Sequence, residues 1–492
     1  MNKVVIGEHP RAYFKKQLFC RSSASMLTIA GLVGFFATPA LGNDWDFSPY
    51  IGISEQFTDN ARSSRTDKES DFITTVDLGF TISGETRRTK LETSYDLSKD
   101  YYAENHDLDG IRHNFLSDAS IELLDDSFFI DARITFTEET LSTSGATTAT
   151  NRTQASDRTQ VFNGQISPYY VYDFGGWMTG IARYSYSETI FSEPDAGAST
   201  TEEADRKTNE YRLNLNSGRR FARASWGLQT GLISSESDAG ENFDHFNSAA
   251  SGQVPINRLF SAIGTLGYDD FDADNIDNEE ISGVYGGTGI RFHPSSRTDA
   301  SFQIGYRFGD PVFDMDITYS PTSADRLTAS YKVTVQTADQ SLTNARLLDQ
   351  QGDLIQPQFT VIDYVDSVTK SETFSLDWSR DRGRNRYGVS GRYIQREILE
   401  NNTNDDVISV NANYGRSLTP RADLSFNAAY AEVLEGQASA DEETTLTFGT
   451  TYRYNFGRGL SGTISYDFLN RSNDSESDLT ENALSLSIRK KF

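Results

Sequence analysis

The sequence predicts an all-β chain, an antiparallel up-and-down transmembrane β-barrel of about 22 strands (18–22) with no plug domain. Three observations carry this expectation. Apolar and polar side chains alternate over segments of about ten residues. Short polar turns recur along the chain. The 492 residues include 31 Phe, 24 Tyr and 37 Gly, against one Cys and four Met. That aromatic- and glycine-rich composition is common among barrels of the bacterial outer membrane.

Composition and charge exclude other classes. With 24% charged and 37% apolar residues, the chain is too polar for helical spans of about 20 apolar residues each. It is too aromatic for a disordered chain. The formal net charge is −26 and no basic patch stands out. Nucleic acid is therefore not an expected partner, because phosphate binding needs clustered Lys and Arg.

The first element is a targeting segment. Lys3, Arg11, Lys15, Lys16 and Arg21 precede the apolar run 26–37, and Ala40 and Gly42 follow it. This order reads as a secretory signal peptide over 1–42, removed after Gly42, with the barrel over 43–492. A single membrane anchor is the alternative, but the run is short for a span. Cys20 lies before the run, so 43–492 holds no cysteine for disulfides or thiolate metal sites. Losing five basic residues and Glu8 takes the net charge from −26 to −30.

Strands follow. In 71–82, Phe72, Val76, Leu78, Phe80 and Ile82 oppose Ile73, Thr75, Asp77, Gly79 and Thr81. The same alternation marks 128–137, 312–319, 327–336 and 445–454. Strands of a soluble sandwich alternate too, but usually stop at about five or six residues. A tilted strand needs about nine to eleven to cross a bilayer.

Tight turns are expected at 83–87, 124–127, 174–176, 217–220, 256–258, 294–298, 321–325, 380–384, 418–421 and 456–459. Several hold Pro, Gly or Asp-Arg pairs, which interrupt ladders. Longer Ser-, Thr-, Asn- and Asp-rich segments lie between them, such as 140–158 and 191–206. Ten turns join twenty strands, and 46–58 and 481–492 add one at each end. At roughly 4.8 Å between strands and a tilt of about 40°, about 22 strands give a diameter of roughly 44 Å. Known 22-stranded transporters hold an N-terminal plug. Here the first strand starts at about Asp46, leaving little chain after the signal to build one.

The last strand carries a second address. Leu484, Leu486, Ile488 and Phe492 share one face of 484–492. A C-terminal aromatic on an amphipathic strand resembles the signal read by the barrel assembly machinery. With the signal peptide, it points to the outer membrane of a Gram-negative bacterium and to outer-membrane lipid as solvent.

A family resemblance lies just after the signal. Trp45-Asp46-Phe47-Ser48-Pro49, then Phe57-Thr58-Asp59-Asn60, then Ser70-Asp71-Phe72-Ile73-Thr74 resemble the outer-membrane β-barrel family associated with PEP-CTERM (exosortase) systems and exopolysaccharide loci. That family is similar to β-barrel porins. The motif-level match covers about 45–80, and Leu78 stands where the family pattern often has Pro. The resemblance implies a setting in surface polysaccharide and protein sorting more than a mechanism. Read from physics alone, Trp45 is an aromatic interface anchor.

The sequence offers no catalytic, cofactor or metal constellation. The histidines after the signal, His106, His113, His245 and His293, are scattered, and three of them fall in expected loops or turns. No Gly-x-Ser-x-Gly elbow is present. The run 283–289, GVYGGTG, reads as a strand of closely approaching backbones rather than a phosphate loop. The acidic run 269–280 has Asp270, Asp272 and Asp274 at EF-hand-like spacing, but Asn275 and Ile281 replace the required Gly and Glu. A solvated loop is the plainer reading, and a weak cation site near lipopolysaccharide the other. Enzymatic barrels use Ser, His, Asp and Asn at the rim, so an enzyme stays open as a lesser alternative.

If the apolar face meets lipid, the other lines a lumen. That face holds Asp77, Glu92, Asp96, Asp131, Asp314, Asp316, Asp377 and Asp423, with Arg133, Arg183, Arg212, Arg307, Lys332, Arg392 and Arg453. Such charges can line an aqueous channel, or can be ion-paired filler of the wall. Two functions follow: a porin-like conduit for polysaccharide or small hydrophilic solutes, linked to exopolysaccharide export, or a structural, surface-interacting barrel with a blocked lumen. The segment 339–368 is the expected constriction, because Leu347, Leu348, Leu354, Ile355, Phe359, Val361, Ile362, Tyr364 and Val365 need burial. A small exposed hairpin at 357–366 is the alternative.

Overall fold

The structure is a computed structural model. It describes residues 45–140, 158–192, 204–221, 223–240, 242–274, 276, 281–337, 367–435, 443–473 and 477–492. Asp46–Phe492 forms one compact unit. Residues 1–44, on which the signal-peptide and no-plug expectations rest, lie outside the described residues.

The strands are β1 (Trp45–Thr58), β2 (Asp71–Glu85), β3 (Thr89–Tyr102), β4 (Gly110–Leu124), β5 (Phe128–Thr140), β6 (Arg158–Asp173), β7 (Met178–Phe191), β8 (Arg206–Ser217), β9 (Ser225–Ser237), β10 (Asn242–Pro255) and β11 (Phe260–Ala273). They continue with β12 (Gly283–Ser295), β13 (Thr298–Arg307), β14 (Asp310–Tyr319), β15 (Asp325–Thr337), β16 (Val368–Arg382), β17 (Asn385–Ile398), β18 (Thr403–Thr419), β19 (Ala422–Glu435), β20 (Glu443–Gly457), β21 (Leu460–Asn473) and β22 (Leu479–Lys491). Each pairs with its neighbours in chain order, and β22 returns antiparallel to β1 from Tyr50↔Lys491 to Thr58↔Ala483. The sheet is therefore a closed barrel of 22 strands. Closure leaves no outer edge strand, which is what a membrane-spanning sheet requires.

The closing seam is fastened at both ends. Toward the long loops, Thr58 Oγ1 donates to Glu481 Oε1 at 2.9 Å, and Asn482 donates from its backbone and side chain to Asp59 at 2.7 Å each. At the other end, the Phe492 N–H reaches the Pro49 carbonyl at 2.9 Å.

Strand length follows from the period-two pattern. Along β22, Leu484, Leu486 and Ile488 are exposed while Ala483 and Ser485 are buried. All ten tight turns fall within a few residues of their expected places, from 86–88 to 458–459. Arg458 and Gly459 both have positive φ, 52° and 76°, as a two-residue hairpin turn requires. The other end is less uniformly long than expected, since 238–241, 308–309 and 399–402 are also short. Two features depart further from expectation. Residues 269–273 of the acidic run continue strand β11, and only His106 of the four histidines lies outside a strand.

The main apolar cluster sits at the long-loop end. It joins Phe243, Phe271 and Ala273 of β10 and β11 to Ile281, Phe308 and Val368. One ladder is incomplete: β14 and β15 pair only from Met315↔Tyr331 to Tyr319↔Leu327.

Candidate functional site

A single-layered closed sheet can bury side chains only on its concave face. Gln56 and Thr58 of β1 are fully buried, whereas Ile51, Ile53 and Phe57, at the alternate positions, are exposed. Following the register from Gln56 around the barrel separates an inner from an outer set on every strand. All fifteen charged residues singled out above fall on the inner set. The large exposed apolar side chains, such as Leu78, Leu213, Ile304 and Leu486, fall on the outer.

The inner charges gather in patches rather than one centre. Across β3 to β7, Lys90 pairs with Glu92 at 3.0 Å, Arg133 with Asp118 at 2.7 Å, and Arg183 with Asp131 at 2.9 Å. Arg183 also stacks over the Tyr169 ring at 4.0 Å. The six charged residues of these pairs line a groove of about 280 Å³. Asp377 and Arg392 share a second groove of about 260 Å³ with Ser375, Ser390, Ser409 and Asn411. Asp96 accepts from the Tyr50 hydroxyl at 2.6 Å, Asp77 from Ser98 at 2.8 Å, and Asp423 from Ser417 at 2.7 Å. Arg212 pairs with Glu210. Asp316, Lys332 and Arg453 stand on the same face outside these patches.

A third groove, of about 370 Å³, is of a different kind. Asn214, Asn216, Gln229 and Gln303 contribute side-chain amides to it, and Arg307 and Asp314 bound it. Among the described residues none of these four amides has a side-chain hydrogen-bond partner. The floor is backbone. A Cβ on Gly305 would lie 2.4 Å from the Gly286 carbonyl, and one on Gly287 would lie 2.6 Å from Gln303 Nε2. Only glycine lets these strands approach so closely.

Beneath this groove lies a network that the sequence did not single out. Asp269 accepts from Arg307 at 2.7 and 3.1 Å and from Asn247 at 2.6 Å, with His245 Nε2 at 3.0 Å. Asn247 also donates to the Tyr285 hydroxyl at 3.0 Å, and Arg307 covers the Tyr285 ring at 4.2 Å. His245 stacks on Phe271 at 4.0 Å. By composition Asp269 belongs to an acidic loop. Continuing the alternation of β11 through that run places it on the inner face beside Phe271.

Chemically, the paired patches are largely satisfied within the wall. The amide groove instead presents neutral donors and acceptors over bare backbone, which suits hydroxyl-rich, uncharged solutes. Among the described residues, no group of three or more His, Cys, Asp or Glu could hold a metal.

Comparison with known proteins bears on the fold. No protein-family model matches the chain, and no curated protein does. Solved structures do. The FrpB iron transporter of Neisseria meningitidis superposes with a TM-score of 0.53 at 11% identity, covering 92% of this chain and 83% of that one. The siderophore receptor PirA of Acinetobacter baumannii gives 0.53 at 9%, covering 92% and 81%. A mutant form of the ferric enterobactin receptor PfeA of Pseudomonas aeruginosa gives 0.52 at 10%, covering 91% and 80%. The chain shares the architecture of these large barrels.

Proposed function

We propose that this chain is a porin-like conduit of the outer membrane, not an enzyme, and that it passes saccharide-type hydrophilic solutes. The amide groove carries this reading: four side-chain amides, with no side-chain partners among the described residues, converge on a glycine floor inside a closed barrel. Hydroxyl-rich solutes can exchange water for such amides at little cost, so they can bind weakly and leave, as conduction requires. The resemblance over 45–80 supports a setting in surface polysaccharide export. The likeness to barrels described as transporters and receptors supports transport in general.

We also propose that no separate plug fills the lumen. Among the described residues, helical backbone is confined to the 3₁₀ turns His106–Leu108 and Arg219–Phe221 and to Ile281. The competing reading, a structural barrel with a blocked lumen, draws on the apolar cluster at the long-loop end.

Planar-bilayer recording of the purified barrel tests the proposal, with maltohexaose added to either side. Open channels that the sugar closes intermittently support it. Conductance indifferent to the sugar favours a general porin, and a silent folded barrel favours the structural reading.

A further inference from the structure

Asp377 of β16 and Arg392 of β17 line the same inner-face groove of about 260 Å³. Among the described residues, neither side chain makes an ion pair or a hydrogen bond. Other inner arginines close onto a neighbouring carboxylate. Where the two stand directly opposite, as in Asp118↔Arg133 and Arg396↔Asp405, they pair at 2.7 and 3.0 Å. Diagonal neighbours pair too: Asp100 with Arg112 at 2.8 Å, Arg291 with Asp299 at 2.8 Å, and Glu443 with Arg471.

The register explains the exception. In these three diagonal pairs, the residue on the earlier strand lies nearer the long-loop end. Asp100 stands two residues beyond Ser98, the partner of Arg112, and Glu443 two residues beyond Thr445, the partner of Arg471. Arg291, opposite Ser301, likewise lies nearer that end than Asp299. Asp377 and Arg392 lie on the other diagonal, because Arg392 stands opposite Ser375 and Asp377 opposite Ser390. The right-handed twist of a sheet shortens one diagonal and lengthens the other. The wall thus presents an anion and a cation to one groove, held too far apart to neutralise each other.

The rest of the groove is small and polar. It runs from β16 to β20, roughly 19 Å across the strands at about 4.8 Å each. Ala429 and Ala431 keep its floor low, while Ser390, Asn411 and Thr447 supply hydroxyl and amide groups. Thr447 is 6% exposed, and its hydroxyl has no hydrogen-bond partner among the described residues. A buried hydroxyl without a partner is costly unless something in the groove supplies one.

We propose that this groove is a second saccharide site, selective for acidic sugars. The Arg392 guanidinium takes the sugar carboxylate through its planar fork. Asp377, held on the long diagonal, accepts from hydroxyls of the same or the next ring, and the polar groups toward β20 continue the contact. An amino acid would match the two charges but not the length of the groove. The amide groove cannot play this part, because its Arg307 is already committed to Asp269. The choice of ligand rests on the saccharide reading, but the site does not need the lumen to conduct.

Isothermal titration calorimetry of the folded barrel in detergent micelles tests this, with hexagalacturonate and its fully methyl-esterified form as probes. The acid should bind the native barrel, and the ester should bind roughly tenfold more weakly. Arg392→Gln should bring the acid down to the level of the ester, and Arg392→Lys should fall between. Ser375→Asp is the sharper variant. It keeps Arg392 but sets a carboxylate directly opposite, as Asp118 stands to Arg133, so it should also erase the preference for the acid. Heat-modifiable migration in SDS confirms that each variant is folded. The proposal is overturned if the native barrel does not distinguish acid from ester, or if either Arg392→Gln or Ser375→Asp keeps the full preference. Channels closed by maltohexaose in a barrel that binds no acid would keep the conduit and remove this site. Acid binding by a barrel that never conducts would keep the site and remove the conduit.

Discussion

Arg307 of β13 reaches across the whole width of β12 to clasp Asp269 of β11, with Nε 2.7 Å from one carboxylate oxygen and Nη2 3.1 Å from the other. The Asp269 side chain is 1% exposed, so it depends on this clasp, on Asn247 and on His245 for the hydrogen bonds that water would otherwise supply. The fork geometry is one that lysine cannot copy.

Removing the clasp should therefore destabilise the barrel. Arg307→Ala is expected to cost about 1–3 kcal/mol, below the usual figure for a broken buried pair because Asn247 and His245 remain. Arg307→Lys should fall between the two. Urea unfolding of the barrel in detergent micelles, followed by tryptophan fluorescence, reads this directly, and equal stability of all three forms would refute it.

The amide groove predicts a graded effect on solute binding. Gln303→Ala removes one neutral hydrogen-bonding group, worth about 0.5–1.5 kcal/mol, so maltohexaose block should weaken roughly 2–10-fold. Gly305→Ala should do more, because its Cβ would meet backbone rather than a flexible side chain. Titration of the sugar against channel closure measures both. Unchanged block in Gln303→Ala would place the sugar elsewhere.

Much of the wall was legible in the sequence because its signals are local. Asp381-Arg382-Gly383-Arg384 announces a turn by composition, and Leu446, Phe448 and Tyr452 announce a lipid-facing row by spacing. The groove was not legible, because Asn214, Gln229 and Gln303 lie on three strands and only the register brings them together. Phe308 gave no turn signal at all, since its burial overrides its conformational preference. Asp269 was hidden by density of charge: its neighbours Asp270 and Asp272 belong to the outer set, and the run reads as a loop unless the alternation is carried through. The constriction expected at 339–368 falls almost wholly outside the described residues, but its flanks Val335 and Val368 pack on the inner cluster.

Charge should bias the flow. The fifteen inner charges named from the sequence comprise eight acidic and seven basic residues, within a chain of net charge −26. Reversal potentials in a potassium chloride gradient should show modest preference for potassium, fading as salt rises and shortens the Debye length to about 3 Å at 1 M. Anion preference at low salt would contradict this.

One loop tie should respond to acid. Arg62 donates to Asp107 at 2.8 Å and to Glu69 at 2.9 Å, joining the connection 59–70 to the connection 103–109. The Arg62 hydrogen bond holds the Asp107 carboxyl below the usual carboxylate range. Because the folded value is depressed, the tie is complete above the ordinary range and is lost as pH falls through the folded value. Hydrogen exchange of both connections, corrected for intrinsic rate, should rise as pH falls from about 6 to about 3. In Asp107→Asn the rise should shrink but not vanish, because Asp71 still accepts from the backbone N–H groups of Ala103, Glu104 and Asn105, and a rise as large as in the native chain would assign the response to another group.

Single-channel recording of the folded barrel in planar bilayers, with maltohexaose added from one side, tests the conduit most directly. The expected record is an open channel that prefers cations and is interrupted by brief closures whose frequency rises with sugar concentration. A folded barrel that shows no conductance would contradict it and leave a blocked, structural barrel.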